Sequence, residues 1–180
     1  MTISDLQQRL ERIERRLDSE IEAQAAIAGN DLVALIIQRV VQTGKSADGA
    51  QFTPYSDIPV PAFFYYGRSR NAGGEAKVRA AGKKKKPISY KEFRAINNLN
   101  TTPKNFEFTG SMWRGFGVLQ ARRTPTGATV TIGGRNPDSE NKIGWNTEQE
   151  GESIIKPSKQ EIAIVQANLQ RWAQNIVDRG

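Results

Sequence analysis

The sequence predicts an α+β fold: a long N-terminal helix and a core helix, a small antiparallel β-sheet with a central hairpin, a C-terminal amphipathic helix, and a long basic loop insertion. Three observations carry this. Apolar residues recur at three- and four-residue spacing near both ends of the chain. An alternating pattern brackets a Thr-Pro-Thr-Gly turn at 124–127, and the middle of the chain is rich in proline, glycine and lysine without regular period. The 180 residues suit one domain. We expect a helical extension over 1–28 and a single α+β domain over 29–180, with the insertion at about 45–104.

Each element has its own signal. Ile3, Leu6, Leu10, Ile13 and Leu17 form a coiled-coil-like seam behind a Thr2–Asp5 capping box. Gly29 and Asn30 then mark a break or a kink, with Asp31 placed to cap the next helical segment. Leu32 to Val41 is apolar nearly all round and predicts the core helix, with Gly44 as its stop. Prolines 54, 59, 61 and 87 and the glycines between them predict a long loop, interrupted only by a short helix over 88–99. Phe116, Val118 and Gln120 before the 124–127 turn, and Ala128, Val130 and Ile132 after it, predict the hairpin. Residues 152–157 predict a further short strand. Ser158 and Glu161 then cap a final helix with Ile162, Val165, Leu169, Trp172 and Ile176 on one face.

Composition narrows the function classes. The chain has no cysteine and no histidine, which removes disulfides, thiolate and imidazole catalysis, and the common zinc, copper and haem sites. No enzyme activity and no cofactor are expected. The carboxylates Asp138, Glu140, Glu148, Glu150 and Glu152 leave a hard-cation site as a minor alternative. No apolar run is long enough to span a bilayer and no secretory leader is apparent, so no membrane partner is expected.

Charge is the strongest signal. Between Lys45 and Glu107 lie 12 basic and 5 acidic residues, while the rest of the chain holds 14 of each, so the net charge of +7 sits in one segment. Its focus is the run Lys83, Lys84, Lys85 and Lys86, extended by Arg79, Arg68 and Arg70, and by Lys77, Lys91 and Arg94, with Tyr90 and Phe93 as stacking partners. DNA, an acidic protein rim, or solvent alone would each accommodate these lysines. The aromatic run Phe63, Phe64, Tyr65 and Tyr66 either anchors the loop or packs on a neighbouring subunit.

Three segments, in order, resemble those of phage virion-morphogenesis and tail-completion proteins. Residues 43–56, "TGKSADGAQFTPYS", are similar to the family's glycine-containing loop through Asp48, Gly49, Phe52, Pro54 and Ser56, with phenylalanine where tryptophan is common. Residues 106–118, "FEFTGSMWRGFGV", resemble its Thr-Gly segment through Thr109, Gly110 and Met112. Residues 148–157, "EQEGESIIKP", resemble the region before the terminal helix, with glutamate replacing a histidine and without the arginine after the proline. The resemblance implies a structural virion protein of the head–tail junction, assembled in the host cytoplasm. It would be a neck or tail-completion ring subunit that connects portal or adaptor to tail and lines or seals the DNA channel. A sixfold or twelvefold homo-oligomeric ring is implied, contacting portal, tail proteins and genomic DNA. A ring needs a heterologous interface that closes, and Phe63, Phe64, Tyr65, Tyr66, Trp113, Phe116 and Val118 are the expected contributors. The alternative is a nonspecific nucleic-acid-binding module acting through the basic central segment.

Overall fold

The structure is a computed structural model and describes residues 2–107 and 109–179. The fold is α+β. Its spine is α1 (Ile3–Gln38), opened by both bonds of the Thr2–Asp5 capping box and continued by a π-helical turn, Arg39–Thr43. Gly44 ends it in the left-handed conformation (φ 63°). The helix does not break at Gly29. That residue is glycine because the hairpin crosses the helix there: a Cβ would lie 2.6 Å from Val130 Cγ1 and 2.9 Å from Val118 Cγ2. Contact between backbone and hairpin, not a change of chain direction, explains the residue.

The hairpin pairs β1 (Phe116–Thr124) with β2 (Gly127–Gly134), antiparallel, in a two-stranded sheet. Val118 opposes Ile132, but beyond it the register slips: Ala121 opposes Val130, and Leu119 is the extra residue. This bulge puts Gln120 in solvent and turns Ala121 inward, against the strict alternation expected. A short helix, α4 (Ser111–Gly115), leads into β1, and α5 (Pro137–Glu150) follows β2, capped by Asn136 with proline at its start. The sequence pattern does not predict α5, because its polar surface hides the helical period; only Ser139 and Ile143 are buried. The strand expected over 152–157 is instead a 3₁₀ turn, Glu152–Ile154, whose Ile154 plugs the core. Finally α6 (Lys159–Arg179) returns along α1. Glu161 and not Ile162 occupies its buried face, because Glu161 closes its own cap and pairs with Arg39.

The main core gathers Val33 and Ile36 of α1 and Val40 of the π-helical turn with Phe52, Met112, Trp113, Phe116, Ile143 and Ile154. The rod Ile3–Thr43 is long and apolar enough to cross a bilayer, with a most apolar window of mean hydropathy 1.2 of which 22% is buried; Val33, Ile36 and Val40 of the rod pack inside this core. The segment 45–104 is not a long loop. It holds a 3₁₀ turn (Ala62–Tyr65), α2 (Ala72–Lys83) and α3 (Tyr90–Ile96), and Ala62, Val78, Ile88 and Phe93 form a second apolar cluster. A lone bridge between Val60 and Ile88 closes its base. Replacing Gly29 with Val should destabilise the protein by ~1–3 kcal/mol through overpacking. Thermal unfolding should register this as a drop of several degrees; an unchanged midpoint would mean that hairpin and helix are not in contact.

Candidate polyanion and partner interface

The second cluster brings together two features that lie some twenty residues apart in sequence. The aromatic 3₁₀ turn sits against the C-terminal end of α2, where the lysine run begins. Tyr66 makes the joint: its hydroxyl occupies the space that a side chain at Gly82 would need, and the Arg79 guanidinium lies 5.0 Å over its ring. Tyr65 turns inward and stacks on Phe93 at 4.5 Å. Burial raises the Tyr65 hydroxyl above its ordinary range, with the neighbouring Tyr90 adding to it. Phe63 and Phe64 stay outside. They stack on each other with centroids 4.6 Å apart, yet are 60% and 52% exposed. Pro61, Phe63, Tyr66, Gly82, Lys85, Lys86 and Pro87 enclose a pocket of 340 Å³ between aromatics and lysines.

The lysines are ordered by the helix end. Lys83 closes α2, Lys85 takes the left-handed conformation (φ 53°), and the amides of Lys85 and Lys86 donate to the carbonyls of Gly82 and Ala81. This is a Schellman motif with lysine where glycine is usual, a choice that costs about 1–2 kcal/mol of backbone strain. Cations here also complement the negative end of the helix dipole, a purely structural benefit of about 0.3–1 kcal/mol. Lys86 sits 3.9 Å from Glu92, both exposed. Lys83, Lys84 and Lys85 make no ion pair among the described residues.

Other expected members fall elsewhere. Arg79 is held by Glu75 at 2.7 Å. Arg68 and Arg70 are exposed; Arg70 directly precedes the Asn71 cap at the opposite end of α2, and Arg68 follows Gly67, whose amide bonds to Glu75 in the first turn. Phe93 and Arg94, expected to extend the patch, are buried. The capping box of Ser89 and Glu92 sets the helical phase that sends them inward. Trp113 and Phe116, expected at a subunit interface, are taken by the chain's own core, and Val118 packs on Gly29. Of the expected interface residues, Phe63 and Phe64 are left to face outward. Among the described residues no group of three acidic side chains gathers as a metal site; Glu150 is engaged by Lys104 at 2.6 Å and by the Thr53 amide.

Glu75 anchors the arrangement. Its carboxylate accepts from the Gly67 amide at 3.0 Å and from Arg79, and the Gly67 bond, with Arg79 adding to it, holds its pKa below the ordinary 4.5. No family model, curated protein or solved structure matches the chain. A depressed carboxylate pKa stabilises the fold above the unfolded value and ceases to do so as pH falls through the folded one. Glu75→Gln should therefore lower the unfolding midpoint at pH 7, and the difference from the native chain should shrink once pH drops below about 4.5. A difference independent of pH would contradict the charged role.

Proposed function

We propose that this chain is a structural subunit of a phage head–tail junction: a neck or tail-completion ring protein that joins portal or adaptor to tail and lines or seals the DNA channel. The observation that supports it is the convergence of the three resembling segments. They are spread over more than a hundred residues, yet Phe52 of the first, Met112 of the second and Ile154 of the third share the main core. The Ala47 amide also donates to the Ser153 carbonyl, and the Thr53 amide to Glu150. That the three segments meet in one core supports reading them together. In a ring, the exposed Phe63–Phe64 stack would pack on the neighbouring copy, as aromatics do at subunit interfaces, and the adjoining lysines would face a polyanion. Quantitative mass spectrometry of purified virions, with the portal protein as internal standard, should find the chain at a sixfold or twelvefold ring multiple. Its absence from particles would overturn the reading.

A second reading is favoured by one feature. Three unpaired lysines beside an exposed aromatic pair are the elements of a nonspecific nucleic-acid surface, charge for the backbone and rings for the bases. Here the protein alone would bind DNA tightly at low salt. A variant with Lys83→Ala, Lys84→Ala, Lys85→Gly and Lys86→Ala preserves the helix end, since glycine suits the left-handed position. It should lose at least about tenfold in affinity, and its log–log salt slope should become shallower by roughly 0.9 for each phosphate contact removed. Equal binding by both proteins, measured by fluorescence anisotropy on a short duplex, would exclude the lysine run as the contact.

A further inference from the structure

A groove of 620 Å³ opens on another face, between the loop at Thr53–Ser56, α3, the turn before α4, and α5. Its floor is the Tyr55 ring. The Arg94 guanidinium lies 4.0 Å over that ring, and the Lys104 ammonium is 5.9 Å from it and 5.2 Å from the Phe106 ring. Tyr90, Lys142 and Trp145 line the groove above, and Trp145 is 61% exposed.

The charges in this groove do not cancel. Lys104 pairs with Glu150 at 2.6 Å, and Lys142 with Asp138 at 2.7 Å. Arg94 is different. It is 1% exposed, and its Nε and Nη2 donate to neutral acceptors, the Asn100 carbonyl at 2.8 Å and Asn105 Oδ1 at 3.1 Å. Among the described residues no carboxylate pairs with it and its Nη1 has no hydrogen-bond partner. A guanidinium keeps its charge at any pH the fold survives. Buried charges are ordinarily matched by an opposite one, and this one borders an open groove.

We infer that this groove binds a carboxylate carried on an aromatic or apolar body, the chemistry of an acidic residue beside an apolar one in a peptide segment of another chain. The carboxylate accepts from Arg94 Nη1, the guanidinium nitrogen that no other group in the described residues engages, in a charge-assisted hydrogen bond. The apolar body lies against Tyr90 and Trp145, and the Lys142–Asp138 pair borders the rim. The inference is independent of the head–tail reading, since it uses neither the lysine run nor the exposed phenylalanines.

The test uses the full chain and N-acetylphenylalanine, with its amide as the uncharged control. Titration followed by the Trp145 indole N–H resonance should show the acid binding at least about tenfold tighter than the amide. Trp145→Ala changes an exposed position and leaves the core intact. It should weaken binding of the acid severalfold, measured by calorimetry, with an unfolding midpoint within a few degrees of the native chain. Arg94→Lys should weaken it further if the variant folds. Equal affinity for acid and amide, no binding of either, or displacement of the acid by equimolar inorganic phosphate would overturn the assignment.

Discussion

The structure turns on one partly buried guanidinium. Arg39, in the π-helical turn where α1 ends, donates through Nε to Glu161 at 2.9 Å, through Nη1 to the Lys45 carbonyl at 2.7 Å, and through Nη2 to the Lys156 carbonyl at 2.9 Å. Glu161 in turn receives the Ser158 amide and so closes the cap of α6. One side chain therefore fixes the exit of α1, the start of the loop after it, and the entry of α6. Both partners are largely buried, so the pair adds little by Coulomb attraction alone once desolvation is counted. Its value is positional: removing Arg39 would leave the buried Glu161 carboxylate without its partner, and the α1–α6 pairing would lose its register at the end where the main core lies.

A second polar hub joins the two apolar clusters. Asn105 accepts from the Tyr55 hydroxyl and from Arg94, and its carbonyl accepts from Trp113 Nε1 at 3.0 Å. Tyr55 also meets Tyr90 edge to face at 5.7 Å. The main core and the cluster under the lysine run are thus coupled through hydrogen bonds and aromatic edges and not through a continuous apolar interior. That arrangement lets a small insertion with its own core present a basic and aromatic surface at a defined place. It also explains why residues 45–104 carry so much proline and glycine and still fold: close contacts, such as Tyr66 on Gly82, replace helix length as the source of order.

The surface charge derives from the same construction. The lysine run is the C-terminal end of a helix, held by backbone bonds, and the exposed phenylalanines are fastened beside it by Tyr66. Neither is a floppy tether. A cationic, aromatic surface fixed in this way meets a partner with less entropy to lose than a disordered loop would, which suits either a ring neighbour or a nucleic acid.

By itself the sequence determined the elements whose signals are local. The capping boxes at Thr2 and Ser158, the period of α1 and α6, the hairpin around 124–127 and the concentration of positive charge are all read from neighbours a few residues apart. Tertiary structure decided whatever depends on distant partners. Gly29 reads as a helix breaker until Val118 and Val130 are seen to occupy the space its side chain would fill. Arg94 reads as one more surface cation until α3 turns it inward against the face of the Tyr55 ring, and the polar surface of α5 hides a helix whose buried residues are Ile143 and Ser139. The bulge at Leu119 redirects the hairpin's inner face, and proximity of the phenylalanines to the lysines comes from packing on α2. Capping and periodicity act within a turn or two of chain; burial and close approach depend on the partners that the rest of the fold brings alongside.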